Sequence, residues 1–170
     1  MATTAKVLQA HSHAEDIDIG LTKAYRKEMA GHLTEILNGT YKLTIKSHIY
    51  HWNVVGPLFK PLHELTEAHY EALFAAADVI AERIRAIGHL APVDMGATAN
   101  FTPKAGDTAH DTAKGMVADL IADHEDAVKK MRKAGEKAGD AGDLVTEDML
   151  TQHLTFHEKA LWMLRAIISE

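Results

Sequence analysis

Four long segments of this chain repeat apolar residues at threes and fours, and no segment alternates in the manner of a strand. The first begins near Thr22 and carries Met29, Leu33, Ile36, Leu37, Tyr41, Leu43 and Ile45 to about Asn53, where Gly56-Pro57 breaks it. The second starts near Pro61, a proline suited to a first helical turn, and uses Leu62, Leu65, Leu73, Val79, Ile80, Ile84 and Ile87 before Gly88. A connection over residues 89–107 follows, with Pro92, Gly96, Pro103 and Gly106; it is too long for a helical hairpin and has room for a short helix. The third helix is expected over residues 108–133, with Met116, Val117, Leu120, Ile121, His124, Val128 and Met131 as its stripe. Residues 135–143 read as a turn, and Thr146 as the cap of a fourth helix carrying Met149, Leu150, Leu154, His157, Leu161, Leu164 and Ile168. Short, long, short: those connections describe an all-α four-helix bundle with one long crossover between helices 2 and 3, the ferritin-like topology.

With 170 residues and no break in composition, the chain suits one domain, expected over residues 21–170, behind a flexible tail over residues 1–20. The absence of cysteine removes disulfides, thiolate metal sites and cysteine nucleophiles. No apolar run approaches the roughly 20 residues that span a bilayer, and a cytoplasmic location is the expectation. The net charge of −6 argues against a broadly basic nucleic-acid surface, whereas 12 scattered histidines favour metal or proton chemistry.

Di-iron bundles ordinarily build their site inside one subunit from two Glu-x-x-His pairs. None occurs here: no glutamate is followed by histidine at the third position. The histidines and acids of the second helix offer another arrangement. At about 100° per residue, with His63 as zero, Glu67 falls near 40°, Asp78 near 60° and Glu82 near 100°. They share a face, yet His63 and Glu82 stand about 28 Å apart along the axis, too far to hold one ion. His63 and Glu82 have a common midpoint between Ala72 and Leu73, and so do Glu67 and Asp78. Two copies of the helix packed antiparallel about that point would set His63 against Glu82 of the partner subunit, and Glu67 against the partner's Asp78, generating two equivalent sites. Ala75-Ala76-Ala77 near the midpoint would let the backbones approach, and the hairpin brings His51 to the same end as His63. The competing reading is a charged, solvated helix face. Imidazole and carboxylate donors without thiolate suit iron, manganese or zinc, and an iron(II) site with open positions can meet an oxidant. Such ligation requires neutral histidines and ionised acids, so metal affinity should fall below about pH 6.

His51-Trp52-Asn53-Val54-Val55-Gly56-Pro57-Leu58-Phe59, Leu62-His63-Glu64-Leu65 and Asp78-Val79-Ile80-Ala81-Glu82-Arg83-Ile84 resemble the signature of the Dps family, the DNA-binding proteins from starved cells. Glu158-Lys159-Ala160-Leu161-Trp162-Met163-Leu164-Arg165 is similar to that family's last helix, and the resemblance runs from about residue 22 to 168. It implies a hollow dodecamer of ferritin-like subunits that oxidises iron(II), preferably with hydrogen peroxide, stores ferric mineral and limits oxidative damage. The family's ligands map onto His51, His63, Glu67, Asp78 and Glu82, shared by two subunits across a dyad; some members have aspartate where Glu67 stands. Asp143 and Asp148 resemble the acids lining the pores through which iron enters, although helix capping explains Asp148 about as well.

Other residues carry weaker signals. Trp52 reads as an interface side chain or a radical interceptor, and Glu64 and Glu71 as solvated charges or mineral nucleators. His48, His69, His124, His153 and His157 read as core or surface histidines rather than ligands. DNA compaction, the role that names the family, normally uses lysine-rich tails. Here Lys6 is the one basic side chain of the first 21 residues, against three acids, and the chain ends Ile167-Ile168-Ser169-Glu170. Weak or absent DNA binding is expected, with protonation of His11 and His13 near pH 6 as the one route to a cationic tail.

Overall fold

The computed structural model describes residues 12–92 and 111–169. Four helices account for most of them: α1 (Lys23–Asn53), α2 (Phe59–Ala86), α3 (Ala113–Asp140) and α4 (Leu144–Ile168). Helices α1 and α2 form one hairpin, α3 and α4 the other, and α1 packs across onto α3. This is the all-α, ferritin-like four-helix bundle that the periodicity predicts. The short helix anticipated in the crossover, and His11, lie outside the described residues.

Thr22 caps α1 by accepting from the Tyr25 N–H, and Thr112 caps α3 by accepting from Gly115. The start of α4 differs from expectation. Asp143, not Thr146, is the N-cap; its carboxylate accepts the Thr146 N–H, and Thr146 lies inside the first turn. Helix α3 also continues through Gly135 and Gly139, which had been assigned to a turn. Ala134 and Ala138 explain this: both are fully buried and prolong the Met131 stripe, so packing outweighs the roughly 1 kcal/mol cost of each glycine.

Two apolar clusters fill the bundle. One joins Met29, Leu33, Ile36 and Leu37 of α1 to Ile80, Ile84 and Ile87 on the α2 side, Met131, Ala134 and Ala138 of α3, and Met149 and Leu150 of α4. The other joins Leu43, Tyr50 and Val54 to Leu62, Leu73, Met116, Val117, Leu120 and Leu164. Each fully buried aliphatic side chain contributes about 1.5–3 kcal/mol. Thr40, His124 and His157 are buried as well.

The segment preceding α1 was expected to be free, but its described part is anchored. Glu15 donates its N–H to the Gly88 carbonyl (3.0 Å), and Arg85 reaches both the His13 carbonyl and the Glu15 carboxylate. Buried Arg26 donates to the Ile87 carbonyl and lies 3.8 Å from Asp16. Gly88 makes the crossing possible. Its φ of +86° ends the helix, and a Cβ there would sit 2.6 Å from the Glu15 carbonyl oxygen.

Candidate metal centre

The α1–α2 turn fixes the first two candidate ligands. Val54 caps α1, Gly56 takes φ +86°, and the Phe59 N–H returns to the Gly56 carbonyl, so the chain reverses within five residues, 54–58. This places His51, in the last turn of α1, face to face with His63: ring centres 3.7 Å apart, planes at 18°. Each ring bonds the other residue's backbone. His51 Nδ1 lies 2.9 Å from the His63 carbonyl, and His63 Nδ1 lies 2.9 Å from the His51 carbonyl. A carbonyl only accepts, so each Nδ1 carries the proton and each neutral ring keeps its lone pair on Nε2. That is the tautomer a metal needs, and the pairing fixes both rings in the way outer-shell bonds orient ligating histidines.

Aromatic side chains wall the pair. Phe59 stacks on His63 at 5.1 Å, Tyr70 meets His51 edge-on at 5.5 Å, and His48 lies between Tyr70 (4.2 Å) and Trp52 (4.0 Å). Desolvation, then the charges of Glu67 and Glu71, push the Tyr70 phenol pKa up.

The carboxylates stand apart from the histidines. Glu67, Asp78 and Glu82 are exposed on the outward side of α2, while Leu62, Thr66, His69, Leu73, Ala77, Ile80 and Ile84 face the core. Among the described residues of the single chain, no three histidine, aspartate or glutamate side chains are gathered into a metal-holding group. The structure therefore joins His51 to His63 and leaves the acids facing solvent. Beside them, Trp52, Val55, Phe59, Phe74 and Val79 are exposed apolar side chains; Val79, assigned to the core by its spacing, is 47% exposed. Of the alanine run, Ala77 is buried in the bundle and Ala75 faces out, so Phe74 rather than a small-residue strip occupies the outward face near the midpoint.

Asp143 and Asp148 differ in environment. Asp143 is buried, and its carboxylate accepts from Arg83 (2.7 Å), the Tyr25 hydroxyl (2.9 Å) and the Thr146 hydroxyl (2.6 Å) as well as the Thr146 N–H. These bonds engage the carboxylate of Asp143 inside the bundle of the single chain. Asp148 is exposed, with Gln152 donating to it.

The ferritin-like domain model matches residues 30–170. The DNA protection during starvation protein 2 of Bacillus anthracis is 36% identical over 128 residues, covering 75% of this chain and 88% of that protein. The chain belongs to the Dps family of ferritin-like proteins. A low-temperature-induced protein of Nostoc is 40% identical over 156 residues, covering 89% of this chain and 86% of that one. Among solved structures, Dps from Mycobacterium smegmatis superposes with a TM-score of 0.80 at 30% identity, covering 94% of this chain and 90% of that chain. Antigen TpF1 from Treponema pallidum superposes with a TM-score of 0.80 at 28% identity, covering 91% of this chain and all of that chain.

Two features of this Dps-family chain escaped sequence reasoning. The reciprocal histidine bonds leave no sequence mark. Phe74 does leave one: it falls about 20° from His63 on the wheel, an apolar side chain in the middle of an acidic face.

Proposed function

We propose that this protein oxidises iron(II), with hydrogen peroxide as the preferred oxidant, at sites shared by two subunits, and stores ferric mineral in a hollow dodecamer. The reciprocal His51–His63 pair carries this reading, because it presents two Nε2 lone pairs at one end of α2 while Asp78 and Glu82 stand bare towards the other. An antiparallel second copy of α2, its Phe74 packing beside the dyad, would complete each site with the partner's Asp78 and Glu82 and with Glu67 from the first chain. Iron is substrate and cargo here. Two iron(II) ions give up two electrons, and with two protons these reduce one hydrogen peroxide to two waters. The carboxylates would offset the ionic charge. Zinc or manganese would fit the same donors. Asp148 is the better-placed acid for drawing cations towards a pore.

The deciding experiment loads iron(II) anaerobically, adds peroxide and follows ferric absorbance. Outer-shell changes alone cost about 10- to 100-fold at metal sites. Asp78→Ala/Glu82→Ala is therefore expected to slow oxidation at least about tenfold; equal rates in variant and wild type would refute the assignment. DNA compaction has less support, since Glu15 and Asp16 of the leading segment are tied to Arg85 and Arg26. Tight gel-shift of DNA at low salt and neutral pH would reverse that ranking.

A further inference from the structure

Halfway along the bundle, four histidines from three helices lie together. His69 of α2, His124 of α3 and His157 of α4 are 4%, 0% and 1% exposed, and His153 precedes His157 by one turn. Polar groups this deep are normally hydrogen-bonded, and each exception needs an explanation such as an ion or an ordered water. Here His69 Nδ1, His124 Nε2 and His153 Nε2 are buried without a hydrogen-bond partner. The one bond within the group joins the His124 and His157 Nδ1 atoms at 2.8 Å. Three orphaned imidazole nitrogens in one apolar interior are expensive to leave unmatched.

We propose that the bundle interior of each subunit is a second metal site, in which His124, His157 and His69 bind one divalent transition ion of the zinc or cobalt(II) class, with His153 available as a fourth ligand.

Ring spacing supports this. Imidazoles held at about 2.0–2.1 Å from a tetrahedral ion have ring centres roughly 5 Å apart. The centres of His124 and His157 are 5.0 Å apart, and those of His69 and His124 are 5.6 Å apart. Two nitrogens of such an ion lie about 3.3 Å apart, so the 2.8 Å Nδ1 pair opens by roughly half an ångström to admit it. Among the described residues the nitrogens are not gathered around one point. Gathering them takes rotation about χ2, which is a broad torsion for histidine. The proton shared by the Nδ1 pair moves to the outer nitrogen of its own ring, so the exchange releases no net proton. Burial, then repulsion from His157 and His69, pushes the His124 pKa down to about 2, and burial, then repulsion from His153 and His69, pushes that of His157 down to about 4; a neutral imidazole binds a metal without losing a proton. The donor set disfavours hard oxygen-seeking ions; neutral imidazole suits zinc, copper, iron and nickel, and cobalt(II) serves as the spectroscopic probe for zinc.

This site is independent of the shared ferroxidase reading, and the test separates them. Chelator-stripped Asp78→Ala/Glu82→Ala protein, which lacks the interface acids, is titrated with cobalt(II) and followed by the intense visible absorption of four-coordinate cobalt. One ion per chain is expected, together with a metal-dependent rise in thermal midpoint. Adding His124→Leu/His157→Leu should remove the absorption and the thermal rise, weakening binding by at least about tenfold. If the leucine pair does not fold, His124→Gln/His157→Gln is the substitute, with the same expected loss. Absence of four-coordinate cobalt in the first variant, or its persistence in the second, overturns the proposal.

Discussion

Asp143 shows how much one side chain can organise. It caps α4, joins Arg83 of α2 through a 2.7 Å ion pair, and receives the Tyr25 hydroxyl of α1, so three helices meet at one carboxylate. Burial alone would raise its pKa, but hydrogen bonds from Thr146, Arg83 and Tyr25 outweigh that and hold it below the usual carboxylate range. A depressed folded-state pKa means the stabilisation is complete above the unfolded value near 3.9 and is lost as pH falls through the folded value. Because the ion pair is buried, Asp143→Ala should cost about 3–5 kcal/mol in urea unfolding at neutral pH, and Asp143→Asn, which can still cap, should cost less. Gly88 is the other position where one residue decides local structure. Gly88→Ala combines positive φ with a backbone clash at the Glu15 carbonyl. It should destabilise by about 1–3 kcal/mol and expose the segment around Glu15 to limited proteolysis; unchanged cleavage would mean that the crossing does not depend on the glycine.

At the level of the helix, α2 has two faces with separate tasks. Its inward face, from Leu62 to Ile84, builds the bundle, and its outward face carries Glu67, Phe74, Asp78 and Glu82. Phe74 is 64% exposed, an unusual cost for a monomer and an ordinary one for a surface that a second α2 covers. Phe74→Glu sets like charges against each other across the proposed dyad. It should shift the particle towards smaller species in sedimentation and reduce iron oxidation in parallel, because the proposed sites draw ligands from two chains. A variant that stays fully assembled would place the interface elsewhere. The shared face of His63, Glu67, Asp78 and Glu82 could be read from spacing alone. The outward turn of Val79 and the inward turn of Ala77 could not, since the wheel gives relative angles and neighbouring helices choose which angle is inside.

For the bundle as a whole, the main departure from an apolar interior is the group of buried histidines on α2, α3 and α4. Desolvation first, then repulsion among neighbouring imidazoles, lowers the pKa of His124 to about 2 and of His157 to about 4; desolvation also lowers His69 and His153. The unfolded chain takes up these protons below pH about 6.5 and the folded chain does not, so stability is complete above 6.5 and declines as pH falls towards 4. The unfolding free energy from urea titrations of the chelator-treated protein should drop between pH 7.5 and 5 by an amount on the order of a few kcal/mol. His124→Leu/His157→Leu should flatten that decline; an equally steep profile in the variant would locate the proton uptake elsewhere. The two buried imidazoles are replaced there by side chains that carry no desolvation cost.

The sequence by itself determined the four helices, their order and the single long crossover, because helical periodicity and glycine–proline breaks are local properties of the chain. Helix ends followed less well: α3 runs past two glycines because Ala134 and Ala138 find partners on other helices. Only the tertiary structure decided which histidines meet. His51 and His63 are 12 residues apart and share reciprocal bonds through the turn geometry, whereas His124 and His157, 33 residues apart, touch because α3 and α4 pack at that height. It likewise made Asp143, 118 residues from Tyr25, a buried junction. Distance along the chain carries no information about such pairs; the rotation and height at which one helix packs on another supplies it.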